Sequence, residues 1–351
     1  MLLTSLLVIV LCIYLLAIVT DEFFIVSLEQ ISEHLKLPKD VAGASLMAMG
    51  SSAPELAIAL LALFKGGGEH SELGIGTIVG SAVFNILIIT GVSAIARPAH
   101  ITWNVIVRDM MMYVMSIALL LLSFADGTIS LLEAITFVGF YGAYIVILIN
   151  WKTEVIEEKE AVMVSAEISP ASPTTILQKL NHLVGKALGL FMGNPETSYI
   201  RAFLVSIGFV ALISWFLVEY ALELATALNI PPVIIALTVL AGGTSIPDMI
   251  GSIVVARKGH GDMAIANAIG SNIFDILIGL GVPWVLAIAL AGGDTLHVGT
   301  GSIWTSAMIL LSTVLLLFVF LTTGRKLDKR EGWVLVFCYV GYITWVWMGT
   351  A

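Results

Sequence analysis

Gly50-Ser-Ser-Ala-Pro-Glu55 and Gly243-Thr-Ser-Ile-Pro-Asp248 are one phrase written twice, 193 residues apart, inside sequence apolar enough to cross a membrane. Each copy is followed by a second shared phrase: Gly80-Ser-Ala-Val-Phe-Asn-Ile-Leu87 in the first half, Gly270-Ser-Asn-Ile-Phe-Asp-Ile-Leu277 in the second. Glycine, two hydroxyls, proline and a carboxylate recur in register, then Gly-Ser, Phe, Asn or Asp, and Ile-Leu. A carboxylate in the hydrocarbon core costs about 2.5–3.5 kcal/mol on insertion scales, so a duplicated one marks function.

The surrounding composition sets the class. Of 351 residues, 59% are hydrophobic and only 12% are charged, about half the charged share of soluble proteins, roughly 25%. The charges cluster between apolar runs of membrane-spanning length. Ten spans are expected, at 2–20, 41–64, 71–93, 105–123, 129–150, 201–227, 232–256, 261–290, 302–322 and 330–348. The first run has no basic n-region and ends in Asp21-Glu22, so it reads as a retained span and not a signal peptide. Cys12 and Cys338 sit in opposite terminal spans and define no disulfide framework. A net charge of −9 without a basic patch gives no support to nucleic-acid binding. Glu154, Glu157, Glu158, Glu160 and Glu167 form an acidic run that reads as a solvated loop without calcium-loop spacing.

Placing the first loop in the cytoplasm puts every one of the 16 Lys and Arg residues except Lys65 on the cytoplasmic side, the bias of the positive-inside rule. Both termini then face outward. Three segments result: a five-helix repeat at 1–150, a cytoplasmic loop at 151–200, and a second five-helix repeat at 201–351. An odd number of spans per repeat inverts the second copy. The fold class is an all-α polytopic membrane protein of ten helices in two inverted repeats, the plan of secondary transporters whose substrate sits at the midplane.

The motifs carry their own chemistry. Pro54 and Pro247 have no N–H to offer the carbonyls of Gly50 and Gly243. A broken helix is expected at each, with carbonyl and hydroxyl oxygens (Ser51, Ser52, Thr244, Ser245) beside Glu55 and Asp248. Ser81 and Asn85, like Ser271 and Asp275, lie one helical turn apart and share a face. Oxygen donors without His or Cys select hard cations such as Na⁺, K⁺ and Ca²⁺. Gly74, Gly76, Gly80, Ala264, Ala266 and Gly270 are small enough to let helices approach. Against this stands a bland reading: a proline kink packed by small residues, with serines bonded to their own backbone. Repetition in opposite orientation, with no basic residue in either span core, argues for the site. Glu219 and Glu223 are expected at the outer interface, Glu72 and Asp262 at helix N-termini, and the six histidines in loops.

At these residues the chain resembles the cation/Ca²⁺ exchanger superfamily, whose hallmark is a pair of inverted repeats. Ile253-Val-Val-Ala-Arg-Lys-Gly-His-Gly-Asp262 and Gly281-Val-Pro-Trp284 are similar to its K⁺-dependent Na⁺/Ca²⁺ branch. The resemblance implies Glu55 and Asp248 as the main Ca²⁺ carboxylates, shared with Na⁺, with oxygens from Ser51, Ser52, Thr244 and Ser245. It implies flanking Na⁺ sites at Ser81 and Ser271 with the carbonyls of Ala48 and Ala241. Asn85 and Asp275 would complete the centre, Asp275 at the position tied to K⁺. It implies transport and not enzymatic catalysis, inorganic cations and membrane lipid as partners, no nucleic acid, no resident cofactor, no obligate protein partner, and residence in the plasma membrane. The central loop is too short for the regulatory Ca²⁺ domains of larger exchangers. The nearest rival is a Ca²⁺/H⁺ antiporter. A passive channel and an intramembrane aspartyl protease are weaker, the latter because Ala291-Gly-Gly-Asp294 misses the Gly-x-Gly-Asp motif at its first position.

Overall fold

Apolar runs with no water to bond their backbone must close their hydrogen bonds internally, and in this chain they do so as helices. The computed structural model describes residues 2–35, 48–65, 71–100, 103–150, 176–291, 295–298, 301–322 and 324–349. Among them, nine helical runs are long and apolar enough to cross a membrane, and Ala53–Phe64 is a shorter apolar helix. Lys36, Lys39, His70, Trp151, Lys152, Lys159, the acidic run Glu154 to Glu167, and Asp294 lie outside the described residues.

In the first half, α1 (Leu2–Val19) runs through a π-helical turn (Thr20–Phe24) into α2 (Ile25–His34). The first span therefore does not end at Asp21-Glu22, as expected; one helical run of 33 residues reaches His34. Then come α3 (Ala48–Ser51), α4 (Ala53–Phe64), and α5 (Ser71–Phe84), which passes through a second π turn (Asn85–Ile89) into α6 (Thr90–Ala96). Strand β1 (Ala99–His100), α7 (Trp103–Ser123), β2 (Thr128–Ser130) and α8 (Leu131–Asn150) complete it. Within the expected 151–200 loop, Ile176–Met192 forms a helix, α9. Its Asn181 accepts a 2.7 Å hydrogen bond from the Tyr14 hydroxyl. His182 is accordingly helical and not in a loop.

The second half has α10 (Tyr199–Leu228), then α11 (Pro232–Ile235), a π turn (Ala236–Leu240) and α12 (Ala241–Lys258). It continues with α13 (Gly261–Leu277), α14 (Gly281–Ala291), β3 (Thr295–His297), α15 (Gly301–Thr322), β4 (Lys326–Leu327) and α16 (Lys329–Met348). The eighth span is thus divided, with a turn at 278–280. Asp328 and Glu331 close a capping box at the start of α16.

Strand pairing reveals the symmetry. β1 pairs antiparallel with β4, and β2 with β3. β1 and β2 lie at opposite ends of α7, whose 21 residues span about 31 Å at 1.5 Å per residue. By position in the repeats, β1 (after the third span) matches β3 (after the eighth), and β2 matches β4. Matched segments therefore lie on opposite faces, which is what inversion requires. One of these ends is basic: Arg97 bonds the carbonyl of Arg257 at 3.3 Å, and the β1–β4 pair brings Lys326 beside them. Lys65 lies at the other end, paired with Glu219 of α10 and 5.6 Å from the Trp215 ring centroid. Arg108 lies inside α7, within the expected fourth span, where it holds the buried Asp109 at 2.8 and 3.1 Å; Tyr144 also bonds Asp109 at 3.1 Å.

Candidate cation site

The four quoted phrases fold to one place. α12 packs on α5 and α13 on α3, so each half's first motif meets the other half's second. At the first motif the expected break occurs. Ser52 leaves helical geometry (φ −90°, ψ 6°) between α3 and α4, with Pro54 in the new first turn, where a missing N–H removes nothing. Glu55 sits in that same first turn, facing the positive end of the helix dipole.

The second motif departs from expectation. Pro247 lies inside an unbroken α12. The irregular backbone lies instead ahead of α12, in the π turn Ala236–Leu240 that leads directly into it. A π turn inserts a residue into the helical register and commonly marks functional positions.

The carboxylates cross between halves. Glu55 of α4 lies within hydrogen-bonding reach of the Thr244 side chain, and Asp275 of α13 within reach of Ser52. Glu55 is 4% exposed, Asp275 and Asn85 each 2%. Asp248 is half-buried and lines a small cavity of about 10 Å³ with Ser51, Pro54, Thr244, Thr20 and Asp21. The three carboxylates are near enough to feel one another's charge. They do not share a single point, since no three Asp, Glu, His or Cys side chains among the described residues gather closely enough to hold one ion. A cation here draws most of its oxygens from hydroxyl, amide and carbonyl groups, the donors hard cations favour.

Those oxygens are waiting. Among the described residues, nine buried side-chain polar atoms lack a protein partner, and Glu55 Oε2, Asn85 Oδ1 and Asp275 Oδ1 are three of them. Of the other six, five are hydroxyls elsewhere and one is Thr20 Oγ1 in the cavity wall. An unpartnered buried acceptor is costly, so three on the expected residues fit a hard cation.

Asn85 is aimed by a residue the sequence reading missed. Asn272, fully buried, donates both amide protons, to the Ala82 carbonyl at 3.2 Å and the Tyr113 hydroxyl at 2.9 Å. Its Oδ1 is left to accept, and Asn85 Nδ2 donates to it at 2.8 Å. Asn85 therefore turns its oxygen away, toward the site. The repeat mate of Asn272 is Ala82, so comparing shared residues alone passes over it. The polarity of Asn272 in a buried span was the available signal.

The remaining expected residues are placed as follows. Ser245 is buried. Ser81 and Ser271 donate to their own helices, at Ile78 and Ala268 carbonyls (2.9 and 3.3 Å), which leaves their oxygen lone pairs for a cation. The Ala48 carbonyl accepts from Ser52 N–H at 3.0 Å and the Ser51 hydroxyl at 3.4 Å. The Ala241 carbonyl accepts from the Thr244 hydroxyl at 3.4 Å. Both carbonyls are already engaged. Glu223 accepts from Ser5 at 3.1 Å, while Glu72 and Asp262 occupy first turns as expected.

Residues 5–150 and 198–348 match the family model described as sodium/calcium exchanger protein. The chain belongs to that family. It is a membrane cation exchanger and not an enzyme. The chain is 29% identical to human sodium/potassium/calcium exchanger 5, over 94% of this chain and 80% of the relative. It is 26% identical to human sodium/potassium/calcium exchanger 4, over 94% and 78%. Among solved structures, an H⁺/Ca²⁺ exchanger, CAX, superposes with a TM-score of 0.73 at 15% identity, covering 97% of this chain and 82% of that one. The sodium-calcium exchanger NCX_Mj superposes at 0.58 with 23% identity, covering 98% and 99%. At these identities the two structures establish the shared fold.

Proposed function

We propose that the chain is a secondary active antiporter that exchanges Na⁺ for Ca²⁺ by alternating access, with K⁺ taking part through Asp275. The observation that carries this reading is the trio of unpartnered buried oxygens on Glu55, Asn85 and Asp275. Glu55, Asp248, Asp275 and Asn85 are the principal ligands. Ser51, Ser52, Thr244, Ser245, Ser81 and Ser271 supply hydroxyl oxygens, and Ala48 and Ala241 supply carbonyls when their present hydrogen bonds yield. With all three carboxylates ionised the site carries three negative charges, which one Ca²⁺ plus one K⁺ neutralises, and so do three Na⁺. An uncompensated buried charge is strongly disfavoured, so the empty site resists occlusion and exchange is coupled. Relatives named sodium/potassium/calcium exchangers support the K⁺ role. The protein operates in the plasma membrane with its basic end, at Arg97, Arg257 and Lys326, in the cytoplasm and both termini outside.

The test is ⁴⁵Ca uptake into proteoliposomes with Na⁺, K⁺ and H⁺ gradients imposed independently. The expected result is uptake that follows an outward-loaded Na⁺ gradient and disappears in Glu55→Gln and Asp248→Asn. Uptake unaffected by both substitutions overturns the site. The higher fold likeness to an H⁺/Ca²⁺ exchanger favours one second reading, Ca²⁺/H⁺ antiport. Uptake driven by a pH gradient without Na⁺ selects it.

A further inference from the structure

We propose that Thr20 and Asp21 form a second cation station at the mouth of the site cavity, where a transported ion is held with part of its hydration shell before it reaches Glu55 and Asp275. This rests on the exchange reading above and adds a place on the ion's route.

The cavity wall from the first span is Ile13, Leu16, Ala17, Thr20 and Asp21, the i, i+3, i+4, i+7, i+8 stripe of one helix face. Its first three members are apolar and its last two are oxygen donors. The stripe ends where the backbone widens: the Ile25 N–H bonds the Thr20 carbonyl, five residues back. Opposite stand Ser51, Thr244 and Asp248.

Thr20 is the decisive residue. Threonines in these helices ordinarily return their hydroxyl to the carbonyl four residues earlier. Thr77, Thr238 and Thr244 do so at 2.8, 2.6 and 3.1 Å, and Thr90 likewise bonds the Ile86 carbonyl. Thr20 Oγ1 has no such partner, although Thr20 is only 4% exposed and lines the cavity. Its hydroxyl is a buried donor and acceptor aimed into polar space. Asp21, beside it, is exposed at the cavity mouth, and its charge bears on Asp248 across the gap. Two carboxylates facing one cavity repel until a cation sits between them, and low-dielectric walls focus that field.

The chemistry selects the ligand class. Two carboxylates and hydroxyls, with no nitrogen or sulfur, suit a hard alkali or alkaline-earth cation. The cavity, about 10 Å³, has room for about one water or one bare ion, so a cation there keeps its remaining hydration on the open side, at Asp21. The station differs from the inner site in that respect: Glu55, Asn85 and Asp275 are closed from solvent, whereas Asp21 is open to it.

The test compares Asp21→Asn, Thr20→Val and Thr20→Ser with the unmodified chain in proteoliposomes, with ⁴⁵Ca presented in turn from each side. The expected result for Asp21→Asn is a KM raised about three- to tenfold on the cavity side, the scale of one partly screened charge contact. Vmax and the KM on the opposite side should stay within about twofold. Thr20→Val should shift the same KM in the same direction and Thr20→Ser should restore it; this pair carries the test if Asp21→Asn fails to fold. A KM unchanged on the cavity side, or changed equally on both sides, overturns the station. An unmodified chain that shows no Na⁺-driven uptake overturns the exchange reading instead, so the two failures are distinct.

Discussion

Gly80 and Gly270 hold the same place in the two repeats, yet the structure assigns opposite outcomes to adding one methyl group. A Cβ at Gly80 would lie 2.6 Å from the Leu237 carbonyl oxygen, 2.7 Å from the Ala241 Cβ and 2.8 Å from the Leu237 Cα. A relaxed carbon–carbon contact is about 3.5–4.0 Å, so α5 must withdraw by something near 1 Å, and two of the three obstacles are backbone. At Gly270 the same Cβ meets nothing within 4 Å. Overpacking of a close-packed interior costs about 1–3 kcal/mol and occasionally more, whereas Gly→Ala in an open helical position stabilises by about 0.5–1 kcal/mol. Gly80→Ala should therefore lower the unfolding midpoint in detergent by several degrees and, by moving Ser81 and Asn85 away from the opposing half, abolish most Na⁺-driven ⁴⁵Ca uptake. Gly270→Ala should match or slightly exceed the unmodified midpoint and retain transport. The assay is a thermal melt on both variants beside a flux measurement. If the two variants behave alike, either both harmless or both damaging, the packing of α5 against the Ala236–Leu240 turn is not as described here.

Asn272→Leu removes three hydrogen bonds and leaves the Asn85 amide and Tyr113 hydroxyl without their partner. At about 0.6 kcal/mol for each bond in a membrane interior, plus roughly 1 kcal/mol or more for a stranded buried donor, the melt should register about 2–4 kcal/mol, and Ca²⁺ affinity should fall as Asn85 loses its aim; a variant with unchanged melt and affinity denies Asn272 that role. Asp275→Asn removes one of three charges and should leave Na⁺-driven Ca²⁺ transport active but indifferent to K⁺, measured as uptake with K⁺ replaced by an inert organic cation; unchanged K⁺ dependence counts against Asp275 as the K⁺ ligand.

Helical spans and their inversion were legible because the bilayer imposes length and polarity on any chain that crosses it. The ends of the run from α5 through α6, and of α7, α8 and α10, fall within a few residues of where hydropathy puts them. The repeated phrases were legible because each shared residue is one whose replacement would change the chemistry. Four features escaped for identifiable reasons. Asp21-Glu22 looked like a span terminus because charges usually end one, but Asp21 faces a cavity and not lipid. Pro247 looked like Pro54, yet α12 continues through it, and the irregular backbone lies in the π turn ahead of α12. The helix Ile176–Met192 was hidden by its acidic neighbours, although Leu177, Leu180, Val184, Leu188 and Phe191 repeat at helical spacing. Asn272 escaped because register comparison selects what two halves share, and its mate is Ala82.

That last difference explains why the duplication is not exact at its centre. Asn272 donates to the carbonyl of Ala82, its own repeat mate, so the pseudo-two-fold axis passes close by. A chain with identical halves would put Asp at both 85 and 275, and the site would carry four carboxylates where one Ca²⁺ and one K⁺ neutralise three. Asn85 removes that fourth charge. It also supplies what no carboxylate has, an N–H for Asn272 Oδ1. The Asn272 amide cannot turn to meet a carboxylate without giving up its bond to the Ala82 carbonyl, which only accepts. Asn85→Asp, nearly identical in shape, should therefore face one buried acceptor with another. Loss of the bond together with an unpaired buried acceptor amounts to about 2–4 kcal/mol, and the fourth charge adds to it. A lowered melting midpoint and lost Na⁺-driven uptake are expected, with no partial rescue by K⁺. Wild-type stability and flux in Asn85→Asp would mean that the site tolerates symmetry, and that three charges are not what sets its ion count.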